Sequence, residues 1–236
     1  MALTRRERLR AATKKELIEA ARRLLSEEGL EAITLRAIAR DLGMTPPSIY
    51  HYFSNLEDLI SHMVSGIYAD VTDHVQAAAR SHERPNESLF ASARAFRSWA
   101  MDNPREYALI FGTPIPGFDV HEDTATSASG RRFGETFLRL FLQLLESDAL
   151  PVVPDSEIDP ALRDQLESYR RNLGVDDLPL GVLFAMVKCW ERLQGCVSLE
   201  AFGHFRFVLQ DAEPLFEDML SEISRLWGIA YVPPEP

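Results

Sequence analysis

The chain is short of cysteine, of long apolar runs and of strand-like alternation, and each shortage removes a class of protein. Two cysteines in 236 residues rule out a disulfide scaffold. Cys189 and Cys196 stand seven apart on one predicted helix, a rise of roughly 10 Å, too far to bridge within it. They read as small buried apolar side chains. No apolar stretch reaches the length of a membrane span, so no membrane partner is expected. The charged amino end passes straight into an amphipathic helix, which gives an expectation of no signal peptide and a cytoplasmic location. The six histidines, His51, His62, His74, His82, His121 and His204, are scattered with no H-E-x-x-H. C-x-x-C, G-x-S-x-G, a Walker loop and a dinucleotide glycine pattern are missing as well, so no enzyme, metal or cofactor is expected.

Basic side chains are also scarce, and unevenly placed. The net charge is -11, yet residues 1–55 carry ten Lys and Arg against seven acids, leaving 15 against 29 for the remainder. A basic front on an acidic body suits contact with a polyanion at one end only, because phosphate neutralisation drives such binding and misplaced acids oppose it. The length permits a small N-terminal module, 1–55, and a larger body, 56–236, and a hydrophobic content of 46% is enough for a core in each. The arm TRRERLR has two readings, a reach toward phosphate or minor groove and a disordered tail.

The most informative stretch is TLRAIARDLGMTPPSIYHYF, residues 34–53. Leu35, Ile38, Ala39 and Leu42 recur at helical spacing and form one buried stripe, while Arg36 and Arg40 face out. Gly43 follows the last periodic residue and accepts the left-handed conformation of a sharp reversal. Thr45 then opens a second helix, its hydroxyl a candidate cap. With proline at 46 and 47 the first available donor is Ser48, and the helix begins at Pro46 or at Pro47. Ile49 and Phe53, one turn apart, are expected to pack on the first helix. Thr45, Ser48, Tyr50, His51 and Tyr52 are left outside or at the rim as candidate readers of a DNA groove.

From about Lys14 to Ile60 the chain resembles the DNA-binding domain of TetR-type transcriptional repressors. The matching pieces are ELIEAARRLLSEEGLEAITLRAIARDLG, SIYHYF and, opening a fourth helix, LEDLI. The resemblance implies that Thr34 and Arg36 hold phosphates, and that Thr45, Pro46, Pro47, Ser48, Tyr50, His51 and Tyr52 form the recognition surface. Lys14 joins the candidate phosphate contacts. Leu56 departs from the family, many of whose members place a phosphate-binding lysine there.

Beyond residue 55 every periodic segment is helical, so the expected fold is all-α: a three-helix helix-turn-helix domain followed by a larger helical ligand-binding and dimerisation domain. Helices are expected at 56–82, from an Asn86 cap to Asn103, from Pro104, over GRRFGETFLRLFLQLLE, and at 178–202 and 212–228, with loops at TPIPGFDVHED and at 149–159. The lack of strands excludes a winged helix, which needs a β-hairpin, and a sugar-type repressor, whose body alternates α and β. PREYALIFGTPIPGF and WERLQGCVSLEAFGHF resemble the C-terminal domain of a TetR subgroup with a Trp-His-Gly signature, met here as Trp190, Gln194 and Gly195. Glutamine replaces the histidine, so a role in imidazole protonation does not carry over.

The resemblance implies a homodimer through the last two helices, where Leu183, Met186, Val187, Leu193, Val197, Leu215, Met219, Ile223 and Leu226 supply apolar stripes that fit either a dimer face or the chain's own core. It implies a palindromic double-stranded operator, since helix-turn-helix dimers read half-sites about one duplex turn apart. It also implies a small apolar effector. Phe96, Trp99, Tyr107, Phe111, Phe133, Phe137, Phe141, Phe184, Trp190 and Gln194 are the candidate lining, with plain core the competing reading. The expected function is a DNA-binding regulator, a repressor released by its effector; the alternative is a helical dimer that binds ligand or protein without DNA.

Overall fold

The computed structural model describes residues 4–112, 124–147 and 150–234. Among them lie ten α-helices and no strand. They are α1 (Arg5–Glu28), α2 (Leu35–Asp41), α3 (Pro46–Ile49), α4 (Leu56–Arg80), α5 (Pro85–Asp102), α6 (Pro104–Phe111), α7 (Thr124–Glu146), α8 (Pro160–Leu173), α9 (Leu180–Ala201) and α10 (Glu213–Trp227). None is long and apolar enough to cross a membrane. The expected loop at 113–123 lies outside the described residues. The described part of 149–159 is irregular apart from a 3-10 turn at Asp155–Glu157.

Two compact units divide the chain: Met1–Val71 with Ala100–Phe133, and Thr72–Trp99 with Gly134–Pro236. In the first, α1 begins earlier than its resemblance required. Thr4 and Glu7 form a capping box, the Thr4 amide donating to Glu7 Oε2 at 2.7 Å and the Glu7 amide to Thr4 Oγ1 at 3.3 Å. The segment TRRERLR, read as a reaching arm or a loose tail, is therefore the capped first turns of a 24-residue helix. Leu17, Ala20, Ala21, Leu24 and Leu25 on its inner face are buried, as are Ile38 and Ala39 of α2, which packs against it.

In the second unit α9 packs against both α8 and α10. Two arginines of α5 brace it. Arg94 makes paired 2.8 Å hydrogen bonds to Glu217 of α10, and Arg97 bonds Glu200 of α9 at 2.7 and 2.8 Å. Such two-point guanidinium–carboxylate pairs fix direction as well as distance. Asn86, expected as the cap of α5, instead donates to the Ala230 carbonyl at 3.0 Å, and the helix already opens on Pro85, whose missing N–H suits the first position. Both cysteines are free, and burial pushes Cys189 up to about 12 and Cys196 to about 11, which keeps them as inert thiols.

Candidate functional site

The helix-turn-helix is built almost wholly from local signals. Thr34 caps α2 by accepting from the Ala37 amide at 3.0 Å. At the other end Gly43 has φ +63°, the Gly43 amide returns to Arg40 O at 3.3 Å, and the Met44 amide to Ala39 O at 2.8 Å. These paired bonds satisfy carbonyls that the end of a helix leaves open and set the angle of the reversal. The next segment differs from expectation. No side-chain cap forms at Thr45. Ser48, the first donor after the two prolines, gives its amide to the Thr45 carbonyl at 2.9 Å and its hydroxyl to the same oxygen at 2.6 Å. The helix begins at Pro46 and ends at Ile49, beyond which His51 and Tyr52 bond three residues back, to Ser48 and Ile49. The recognition element is one α-turn continued by a tighter one, and Tyr50, His51 and Tyr52 lie on the tighter part.

What holds so short an element is underneath it. Ile49 and Phe53 are buried. Lys14 of α1 sets its ammonium 4.8 Å over the Phe53 ring, and His62 of α4 meets the same ring edge-on at 5.4 Å. Lys14 Nζ and His62 Nε2 are 3.4 Å apart, so α1, the recognition turn and α4 share one anchor. The start of α4 is fixed as firmly. Asn55 accepts from the Asp58 amide at 2.8 Å, and Asp58 accepts from the Ser54 amide at 2.7 Å. Burial acts to raise the Asp58 carboxyl, but the Ser54 hydrogen bonds with the His62 and Lys14 charges outweigh it and leave it below the usual range.

Above this support the predicted surface is open. Thr34, Arg36, Thr45, Pro46, Pro47, Tyr50 and His51 are exposed, Tyr50 by 58%, while Ser48, Tyr52 and Lys14 are half-buried. Leu56 is half-buried too. One cation of the TRRERLR segment stands here: Arg10 donates from Nη2 to the His51 carbonyl at 3.0 Å. It is 41 residues from its partner, and nothing in its neighbourhood in sequence announces the contact.

Residues 17–63 match the model of bacterial regulatory proteins of the tetR family, and residues 89–223 match the tetracyclin repressor-like C-terminal domain. The chain belongs to the TetR family. It is accordingly a DNA-binding transcriptional regulator of a family without enzymatic activity, and such regulators bind DNA operators and small-molecule ligands, typically as dimers. The HTH-type transcriptional regulator Rv1816 of Mycobacterium tuberculosis is 30% identical over 194 residues, 80% of this chain and 81% of the relative. The solved structure of the regulatory protein SCO4313 covers 93% of this chain and 98% of its own, with 29% identity and a TM-score of 0.74. RolR, solved with its ligand resorcinol, shares the fold at 16% identity and a TM-score of 0.58, covering 94% of this chain and 90% of that one.

The candidate effector residues gather in separate groups. In the first unit Tyr107 and Phe111 of α6 stand 5.2 Å apart, and Phe111 meets Phe133 at 5.6 Å. Tyr68 of α4, absent from the expected set, joins them at 5.8 Å from Phe111, with its hydroxyl donating to the Ile110 carbonyl at 3.2 Å. It is buried on α4. In the second unit Trp190 lies 5.5 Å from Phe96 and 6.0 Å from Phe137. Phe184 meets Trp227 of α10, and Trp99 and Phe141 are buried. Gln194 is half-buried; its amide nitrogen bonds Ser198 at 3.4 Å, and its oxygen is buried without a hydrogen-bond partner among the described residues.

Of the nine apolar residues assigned to a dimer stripe, Leu183, Met186, Leu193, Val197 and Ile223 are buried within the chain itself. They belong to its own core, where α8, α9 and α10 meet, and helical spacing alone does not say which neighbour covers a face. Val187, Leu215 and Leu226 stay exposed and Met219 half-buried.

Support and reader are separable by substitution. Phe53→Ala is expected to lower unfolding stability by about 3–5 kcal/mol in denaturant titration, as for a large buried ring, and Tyr50→Ala to change it by less than about 0.5 kcal/mol. Equal losses would mean that Tyr50 is part of the anchor.

Proposed function

We propose that this regulator is a repressor that binds a palindromic operator as a homodimer and is released by a small apolar effector. The observation that carries the reading is an exposed recognition turn in the same unit as a ring cluster, with one short helix, α6, touching both sides of the connection. Tyr107 and Phe111 of α6 belong to the rings. Arg105 and Glu106 of α6 hold α1. Arg105 Nη1 donates to the Leu25 and Ser26 carbonyls at 3.2 and 2.9 Å, near the end of α1. Glu106, only 8% exposed, takes two hydrogen bonds from Arg22 at 2.7 and 2.8 Å, while Arg22 also reaches Asp70 of α4 at 2.6 Å.

An effector entering the rings would displace α6, and α6 cannot move without pulling on α1. The ligand shifts DNA affinity only by its differential affinity for the two arrangements, and the coupling is reciprocal. Operator binding must therefore steady α6. Amide hydrogen exchange over residues 104–111 is expected to slow when a selected operator duplex binds, and Glu106→Gln to lose that slowing while the recognition turn stays protected. Unchanged α6 exchange in the wild type would contradict the link.

On the DNA side, Tyr50, His51, Tyr52, Ser48, Thr45, Pro46 and Pro47 are assigned to the groove surface, and Thr34, Arg36 and Lys14 to phosphates, with Arg10 added. Replacing Tyr50 and His51 by Ala is expected to alter base preference. Arg36→Ala is expected to weaken all sequences alike and to reduce the log-log salt slope by about 0.9. Fluorescence anisotropy at several salt concentrations reads both, and a change of preference with Arg36→Ala alone would reverse the assignments.

Seven of the ten exposed large apolar side chains among the described residues fall between Val187 and Leu226, Phe207 reaching 88% exposure and Leu226 54%. Water-facing apolar area concentrated on α9, α10 and their connecting turn supports pairing of the last two helices. Phe207→Glu with Leu226→Glu is expected to give monomers in sedimentation and to cut operator affinity at least tenfold. A dimer that survives both changes would place the pairing surface elsewhere.

A further inference from the structure

An open groove of about 660 Å³ lies within the second unit, between the α4–α5 junction and α7. None of the ten candidate effector residues lines it, so it is a different place from the ring clusters. Its walls are mixed, with Ala79, Pro85 and Leu140 set among polar side chains. Gln76 and Arg80 of α4 stand on one side, Thr136 and Arg139 of α7 on the other, with Glu83 and Glu146 also lining it.

Four of these residues form one chain of hydrogen bonds from wall to wall. Arg80 Nη1 donates to Gln76 Oε1 at 3.3 Å, Gln76 Nε2 donates to Thr136 Oγ1 at 3.0 Å, and Arg139 Nη2 donates to the same hydroxyl at 3.4 Å. Thr136 is buried, so the chain is pinned at its middle and carries a guanidinium at each end. Neither guanidinium is ion-paired with a carboxylate among the described residues, in a body where acids outnumber bases 29 to 15. On the same unit Arg84, Arg94, Arg97, Arg171 and Arg192 have carboxylate partners, while Arg163, Arg170, Arg206 and Arg225, like Arg80 and Arg139, have none among the described residues. Two planar forks, each with most of its five N–H donors unspent, match the oxygens of a carboxylate or a phosphate.

We infer that this groove binds a small molecule with a single anionic head, held between Arg80 and Arg139. Glu83 and Glu146 narrow the class further. Their charges oppose a polyanion, and their oxygens accept hydrogen bonds, so the head is accompanied by hydroxyl or amino donors. The class is a polyhydroxy or amino compound carrying one phosphate or one carboxylate. The inference stands independently of effector release, because it uses neither the rings nor α6.

Isothermal titration of the full chain with glycerol 3-phosphate, gluconate and inorganic phosphate, against chloride at matched ionic strength, tests it. Glycerol 3-phosphate or gluconate is expected to bind with millimolar or tighter affinity and more tightly than inorganic phosphate; which of the two binds better identifies the head. Arg80→Gln with Arg139→Gln is expected to weaken that binding at least tenfold, and Arg192→Gln to leave it unchanged. If the double variant loses helicity by circular dichroism, Arg139→Gln alone decides, with the same expected direction. Failure of all three probes to bind the wild type, or equal binding by the wild type and the arginine variants, would overturn the site.

Discussion

Everything the DNA-facing end does depends on burial beneath a helix too short to stand by itself. One α-turn of Pro46–Ile49 gains too few backbone hydrogen bonds to offset its nucleation, so its shape comes from what it packs on. Ile49 and Phe53 supply that, one turn apart on the inner side, and Lys14 and His62 close over the Phe53 ring from α1 and α4. The outward residues are then left without a part in holding the fold. Tyr50 is exposed because its neighbours, and not Tyr50, carry the fold.

The same anchor links the recognition turn to other helices of its unit. Phe53 is joined to α1 through Lys14, and α1 is joined to α6 through Arg22, Glu106 and Arg105. α4 enters the network twice, through the Asn55 and Asp58 cap at its start and through Asp70. A nearly buried carboxylate such as Glu106 is costly to leave without its partner, so the α1–α6 joint resists opening.

Helix-turn-helix and fold class could be read from residue order because their determinants are local. Thr34 as cap, Gly43 as reversal, and Ile49 with Phe53 as inner pair all lie within 20 residues, and each behaves as its chemistry requires. The shortness of the recognition helix was less evident, since two prolines leave Ser48 as the first donor and the Thr45 carbonyl takes it. α8 escaped notice for another reason. Its Asp159 cap, Pro160 and Gly174 are ordinary boundary signals and Leu162, Leu166, Tyr169 and Leu173 recur between them at helical spacing, but polar residues outnumber the apolar ones and Leu166 alone is buried. Nor did sequence reveal the joints, whose partners are 84 residues apart for Arg22 and Glu106 and 123 for Arg94 and Glu217. Helical periodicity, finally, says that a face is covered and not by what, which is why residues of α9 and α10 buried in the chain's own core were grouped with exposed ones.

The central claim is that residues 45–52 read duplex DNA from a paired, rigidly supported platform. Sequencing the fragments retained by the purified protein from a random duplex pool at low ionic strength tests it most directly. The account predicts enrichment of two inverted half-sites with centres about one helical turn apart. An intact, paired protein that enriches no sequence over the starting pool would contradict it.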